Sequence, residues 1–336
     1  MSARPRVCVL GSGSWGTTFA AVTTDAGCPT TVWGRDPEIV RSIASDHANP
    51  RYLPGVELPE ALTATTDAVG AVSGADVVVV ALPSKVLRRT VAPLAAHVRP
   101  DAVLVSLSKG VEHGSDRRMS EVVAEAAGVG RDRVAVVSGP NLAREIAARQ
   151  PTATVVAATT PEVAEQVAAA CSTDYFRPYT NTDVVGVEIA GAMKNVIALA
   201  VGMAVGLGMG DNSRASIITR GLAETARLGA ALGADPQTFA GLAGMGDLVA
   251  TCTSPLSRNR TFGEELGRGS TVEEVVARTR QTAEGVVSCG SLLHLARSLG
   301  VDVPITEAVT AVVSGGLRPE DLARLLLSRA RKPEVE

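Results

Sequence analysis

Lys194 is set apart by its surroundings: between Val187 and Gly208 nearly every side chain is apolar or glycine, the exceptions being Glu188, Lys194 and Asn195. An amine in such a stretch snorkels to solvent, finds a carboxylate, or loses basicity because burial disfavours its charged form. Glu188 lies six residues earlier on a different helical face and is a poor partner. Lys194 is therefore a candidate for giving a proton to a reacting atom and taking it back, with a half-buried structural lysine as the alternative. Gly191, one turn earlier, leaves space beside the amine for a ligand or simply lets the helix pack closely.

Two later clusters carry groups that an anionic substrate would need. Gly244-Met245-Gly246-Asp247-Leu248, followed by Thr251, reads as a flexible glycine turn with Asp247 at the start of an apolar helical turn. Asp247 is then either a plain helix cap or a carboxylate holding the Lys194 ammonium or a substrate hydroxyl. In Ser254-Pro255-Leu256-Ser257-Arg258-Asn259-Arg260, Pro255 ends one helix and the next starts near Ser257 to Asn259. Free N–H groups and the positive end of the helix dipole lie there. Arg258, flanked by Ser257 and Asn259, can form charge-assisted hydrogen bonds to a phosphate; a capped, solvated basic turn is the alternative.

Near the start, Gly11-Ser12-Gly13-Ser14-Trp15-Gly16 follows the apolar run Val7 to Leu10 and opens a small-residue helix through Ala20 and Ala21. This is the layout of a dinucleotide-binding turn. Gly11 permits the tight turn, Gly13 lets the backbone approach a pyrophosphate, and Gly16 lets the helix pack closely on the sheet. At the end of the second strand stands Gly34-Arg35-Asp36, where an acidic side chain would hold a ribose hydroxyl and an arginine would meet a 2′-phosphate. Asp36 precedes Pro37 and is well placed as a helix cap, which favours NADPH and leaves NADH open. Ser108-Lys109-Gly110 and Gly139-Pro140-Asn141 each follow a strand, at the carboxyl edge where ligands bind in doubly wound folds.

These groups need elements to hold them. Up to about residue 182, short apolar strands alternate with helical stretches: Val7 to Leu10, Thr30 to Trp33, Leu62 to Thr65, Val77 to Leu82, Ala102 to Ser106, Val134 to Ser138 and Thr154 to Ala158. Such alternation predicts an α/β fold, a Rossmann-type doubly wound and mainly parallel sheet covered on both faces. Asp36-Pro37 and Thr160-Pro161 mark helix starts. From about Asp183 helical periods run to Arg331, entered by one long helix from about Asp183 to Leu207, so the expected domains are 1–182, nucleotide-binding, and 183–336, all-helical and catalytic. The charged end Arg329 to Glu336 reads as a frayed tail.

Composition narrows the class further. At 336 residues the chain exceeds what one core usually serves, and its formal charge of −3 is scattered, with no basic stripe for nucleic acid. Cys8, Cys28, Cys171, Cys252 and Cys289 are odd in number and dispersed, which points to reduced thiols. His47, His97, His113 and His294 form no ligand pairs, so no metal is expected. Met1 to Arg6 has no apolar signal region, and the strand-like run Val77 to Pro83 is too short to span a bilayer, so a cytoplasmic enzyme without a membrane span is expected.

Taken together, the motifs GSGSWGTTFA (11 to 20), NPRYLPG (49 to 55), SLSKGVE (106 to 112), SGPNLAREIA (138 to 147), EIAGAMKNVIALA (188 to 200), GMGDL (244 to 248) and SRNRTFG (257 to 263) resemble the bacterial sn-glycerol-3-phosphate dehydrogenase family over nearly the whole chain. The resemblance implies interconversion of dihydroxyacetone phosphate and glycerol 3-phosphate with NADP or NAD, a supply of glycerol 3-phosphate for phospholipid synthesis, and a homodimer. It makes Lys194 the catalytic proton donor and acceptor, with Lys109, Gly139, Asn141, Asp247, Ser257, Arg258 and Asn259 around the substrate. Ser14, Trp15, Arg35, Lys109, Ala143, Arg258 and Glu284 would contact the cofactor, on the turn formed by Gly11, Gly13 and Gly16. Asn141 stands where the family more often has serine or threonine, and Thr282 precedes Ala283-Glu284-Gly285 where the family more often reads Val-Glu-Gly.

The chemistry fits these roles. A free lysine, with a pKa of about 10.4, is a poor proton donor at neutral pH, but burial and a second cation such as Lys109 would lower it. Two other readings remain: a related β-hydroxyacid dehydrogenase, against which the Ser257-Arg258-Asn259 cluster argues, and a non-catalytic NAD(P)-sensing protein, for which Lys194 would have no use.

Overall fold

The computed structural model describes residues 4–279 and 283–321. Thr282, the remainder of the expected terminal helix to Arg331, and the tail Arg329 to Glu336 lie outside them. Strands β1 (Val7–Leu10), β2 (Thr30–Trp33), β3 (Ala48–Asn49), β4 (Leu53–Glu57), β5 (Thr63–Thr65), β6 (Val77–Val80), β7 (Val103–Ser106), β8 (Val134–Ser138), β9 (Thr152–Ala158) and β10 (Phe176–Asn181) occupy the first half. Helices α1 (Ser14–Asp25), α2 (Pro37–Asp46), α3 (Ala68–Ser73), α4 (Ser84–Val91), α5 (Met119–Ala127), α6 (Ala143–Ala147) and α7 (Pro161–Cys171) alternate with them. The main sheet runs β10-β9-β8-β7-β6-β1-β2-β5, parallel except where β8 meets β9.

The doubly wound expectation holds because these strands are apolar on both faces. Val7, Val9, Val77 and Val79 face one core, while Cys8, Leu10, Val78 and Val80 face the other. The order of strand addition reverses between β1 and β6, which run parallel, and that switch point is where a nucleotide cleft belongs. Asp36 caps α2 as expected, accepting from Glu38 N. Thr160 occupies the cap position of α7 but makes no side-chain cap bond, so Pro161 alone marks that start.

Two pieces of β structure escape the sequence reading. The β3–β4 hairpin carries no alternating apolar pattern, and Asn49 ties it down by donating to Ser12 O and Thr17 Oγ1, both at 2.9 Å. Strand β10 contains Pro178 and exposes much of its side-chain surface, as an edge strand can.

The second half is helical: α8 (Val184–Gly206), α9 (Asp211–Ala231), α10 (Pro236–Ala240), α11 (Asp247–Thr253), α12 (Arg258–Gly267), α13 (Val272–Thr279), α14 (Glu284–Ser298) and α15 (Pro304–Val313). Asp183 starts α8 by accepting from Gly186 N at 2.9 Å. By length and composition α8 is apolar enough to cross a membrane, a stronger candidate than the run Val77 to Pro83, but 94% of its apolar window is buried among the other helices. It is the axle of the helical core.

Glycines let α12 lie backbone to backbone on α8. A Cβ on Gly202 or Gly206 would come within 2.1 or 2.2 Å of the Arg260 or Glu264 carbonyl oxygen, and one on Gly263 or Gly267 within 2.2 or 2.3 Å of the Leu199 or Met203 carbonyl oxygen. This crossing brings the N-terminus of α12 to Asn195, the residue after Lys194, which accepts from Asn259 at 2.9 Å.

Candidate active site

Lys194 sits in the middle of α8 and is buried. Its Nζ donates to Asp247 Oδ1 and to Thr251 Oγ1, the latter at 2.7 Å, while the Thr251 hydroxyl donates to the same Asp247 oxygen at 3.2 Å. The other carboxylate oxygen accepts from Lys109 Nζ at 2.6 Å, and Lys109 also reaches the Gly139 carbonyl at 3.4 Å. Asp247 is therefore the counter-ion of two lysines and makes no cap bond, although it begins α11. Thr251 received no role from the sequence, and its place four residues after Asp247 on a helix was the signal.

Each element contributes for a local reason. The glycine stretch before Asp247 is a π-helical turn, Leu242–Gly246, rather than a flexible loop. Gly244 is required there, since a Cβ would stand 2.2 Å from the Phe239 carbonyl oxygen. Gly191 makes room for Ser138, whose Oγ would lie 2.9 Å from a Cβ at that position, and the Lys109 stem passes beside it at an ordinary contact distance of 3.6 Å, so the glycine serves packing next to the site. Glu188 is not a partner of Lys194; it accepts from Arg118 and Ser120.

The charges follow from this geometry. Burial lowers the Lys194 pKa from 10.5 to about 7, with the attraction of Asp247 opposing and the neighbouring Lys109 ammonium assisting. Burial alone would push the Asp247 carboxyl up, but the two lysines hold it below the usual carboxylate range. Lys194 is thus balanced between its two protonation states near neutrality.

At the N-terminus of α12, Ser257 is buried and accepts from Arg260 N at 3.3 Å, capping the helix, while Arg258 is exposed as its first residue. Asn259 is buried: its amide donates to Asn195 Oδ1 and its oxygen accepts from Gly285 N, both at 2.9 Å. These bonds make it first a clamp between α8 and α14, with one amide hydrogen left over. Asn141 donates to Thr154 Oγ1 at 2.9 Å, and its own buried side-chain oxygen has no partner among the described residues. An orphaned buried acceptor beside Gly139 suits a ligand hydroxyl.

The nucleotide turn is built as the glycine spacing demands. Gly11 has φ 125°, and a Cβ there would stand 2.5 Å from the Ala81 carbonyl oxygen; one on Gly16 would strike the Gly11 carbonyl oxygen at 2.1 Å. A Cβ on Gly13 would meet nothing within 4 Å, so the backbone faces open space there. The first α1 bond runs from Thr17 N to Gly13 O, leaving earlier N–H groups free for a pyrophosphate. These features fit a dinucleotide.

Other expected cofactor contacts are arranged around that turn. Ser14 Oγ donates to the Tyr52 carbonyl at 3.0 Å, and the Ala143 carbonyl accepts from Thr18 at 3.3 Å. The Trp15 ring packs edge-on against Phe19, with centroids 5.6 Å apart. Arg35 is exposed at the end of β2, while Asp36 is occupied by its cap and by Arg51 at 3.2 Å. Glu284, at the start of α14, accepts from Ser84 Oγ at 3.2 Å; burial pushes its carboxyl up, and that bond and the charge of Arg258 pull the other way.

Residues 6–164 match the family described as NAD-dependent glycerol-3-phosphate dehydrogenase N-terminus, and residues 183–324 match its C-terminus. Relatives named glycerol-3-phosphate dehydrogenase [NAD(P)+] include one from Streptomyces griseus, 59% identical over 98% of each chain, and one from Thermobifida fusca, 60% identical over 98% of each. A crystal structure of glycerol-3-phosphate dehydrogenase from Coxiella burnetii is 35% identical, with a TM-score of 0.91 over 97% of this chain and 99% of that one. The sheet, the glycine turn, the paired lysines and these matches agree: the chain belongs to the NAD(P)-dependent glycerol-3-phosphate dehydrogenase family.

Proposed function

We propose that this chain interconverts dihydroxyacetone phosphate and sn-glycerol 3-phosphate with NADPH or NADH, with Lys194 as proton donor in reduction and acceptor in oxidation. The observation that carries this reading is the sharing of one buried carboxylate by Lys109 and Lys194. One negative charge faces two amines, so the pair holds one proton loosely, and an alkoxide forming at the substrate C2 can take it. The bound nicotinamide supplies the hydride. Lys109 and Asn141 are suited to orient the substrate hydroxyls, and Arg258 with the N–H groups at the start of α12 is suited to its phosphate. Ser257 and Asn259 hold that helix end in position. The phosphate is then a handle whose binding aligns the carbonyl.

In this reading residues 1–182 form the nucleotide-binding domain and 183–336 the catalytic domain. The product supplies glycerophospholipid synthesis in the cytoplasm. Burial of all five free cysteines supports a reducing compartment, and the homodimer rests on family membership alone. The test is oxidation of NADPH, and then NADH, with dihydroxyacetone phosphate, dihydroxyacetone and hydroxyisobutyrate compared. Turnover restricted to the phosphate ester is expected; preference for hydroxyisobutyrate would assign a β-hydroxyacid dehydrogenase, and binding without turnover would assign a nucleotide sensor.

A further inference from the structure

Glu188 is a fully enclosed carboxylate on the same helix as Lys194, yet it faces away from the proton-transfer site. Its Oε1 accepts from Ser120 N at 2.7 Å, and its Oε2 accepts from Ser120 Oγ at 2.6 Å and Arg118 Nη1 at 2.7 Å. Arg118 also pairs with Glu121 at 3.2 Å. These partners end the segment that begins at Lys109. Val111 bridges Arg118, and Glu112 N donates to the Arg117 carbonyl at 2.9 Å, closing the segment on itself. The Lys109 stem lies against α8 at Gly191, three residues after Glu188. The segment is therefore held at one end by Glu188 of α8 and at the other by the Lys109–Asp247 ion pair, with the Lys109 stem passing alongside Gly191 of α8.

We infer that Glu188 is a positioning residue: by holding Arg118 and Ser120 it sets the depth at which Lys109 stands beside Lys194 and Asp247. This inference rests on the acid–base reading of Lys194. Among the described residues, the charged and titratable groups around Lys194 are Asp247 and Cys252 from α11 and Lys109 from the segment after β7. Those around Glu188 are Arg118 and Glu121. Loosening the clamp lets Lys109 retreat, which relieves the repulsion between the two ammonium groups and raises the pKa of Lys194.

Glu224 provides an internal control. It is another buried carboxylate with three donors, Ile305 N at 2.8 Å, Thr306 N at 2.9 Å and Thr306 Oγ1 at 2.6 Å, but it fastens α15 to α9 and touches neither lysine.

The experiment compares wild type, Glu188→Gln, Ser120→Ala and Glu224→Gln by thermal melting and by kcat for glycerol 3-phosphate oxidation across pH. In that direction Lys194 must be neutral, so activity rises with pH through its pKa. Glu188→Gln should lower kcat about ten- to a hundred-fold, as a misplacement near 1 Å does. It should also move the acid limb upward by about one pH unit. Ser120→Ala, which deletes one of the three bonds, should move the limb in the same direction by less and decides the matter if Glu188→Gln does not fold. Glu224→Gln should lower Tm and leave the limb in place. A limb unmoved in both clamp variants, or moved equally by Glu224→Gln, overturns the positioning role. If instead the wild-type limb persists in Lys194→Met, the acid–base assignment itself falls.

Discussion

Lys109 and Lys194 hold opposite oxygens of one Asp247 carboxylate, so two amines from distant parts of the chain share a single buried counter-ion. The arrangement leaves one proton weakly held, and the behaviour of variants follows from it.

Lys194→Ala should reduce turnover by about a hundred- to ten-thousand-fold, the range for losing a positioned acid. Asp247 keeps Lys109 as its partner, so the variant should fold cooperatively and bind NADPH as wild type does, and loss of turnover should not be accompanied by unfolding. Lys194→Arg should fail too, since a guanidinium does not release its proton near neutrality. Retention of most of kcat in either variant would remove Lys194 from the mechanism.

The pH profile should divide by direction. With Lys194 at about 7, reduction should weaken as pH rises through that value and oxidation should strengthen. Asp247→Asn removes the group that favours the ammonium, so the alkaline limb of reduction should shift downward by about one unit or more. An upward shift would contradict the shared-proton arrangement. Stability has its own sign: the folded pKa lies below the ordinary 10.5, so between about 7 and 10.5 the unfolded chain binds more protons. The cost of burying Lys194 is complete below that window and is relieved as pH rises through it, which melting curves of wild type and Lys194→Met would reveal by difference.

Arg258→Ala should lower kcat/KM for dihydroxyacetone phosphate steeply, because the phosphate contact also aligns the carbonyl. Arg258→Lys should recover only part, as a point charge does not reproduce the planar fork. Cofactor affinity is measured separately on each variant, since Glu284, whose carboxyl feels the charge of Arg258, is a proposed cofactor contact. Wild-type activity on unphosphorylated dihydroxyacetone close to that on its ester would falsify the phosphate handle.

Arg35→Asp should weaken NADPH far more than NADH, because a carboxylate repels the 2′-phosphate and still accepts from a ribose hydroxyl. One charged hydrogen bond is worth about 1.5 to 3 kcal/mol, or roughly ten- to a hundred-fold in affinity. Titration of both cofactors by nicotinamide fluorescence reads this directly, and equal weakening would exclude a 2′-phosphate contact.

Much of the architecture was legible because short-range chemistry sets it. The Gly11, Gly13 and Gly16 turn, the cap at Asp36 and the limits of β1, β2 and β8 depend on neighbours within a few residues, and the structure places them where the spacing did. The unusual position of Lys194 was also visible, since an amine inside an apolar helix conflicts with its surroundings wherever that helix packs. The identity of its partner was not. Asp247 lies 53 residues from Lys194 and 138 from Lys109, and a cap and a counter-ion look alike in sequence. Only the packing of α11 against α8 after the π-helical turn at Gly244, and the clamp of Glu188 on Arg118, decide which groups meet. Local pattern determines where a turn or helix begins; the pairing of buried charges depends on which elements come into contact, and that is a property of the whole packed chain.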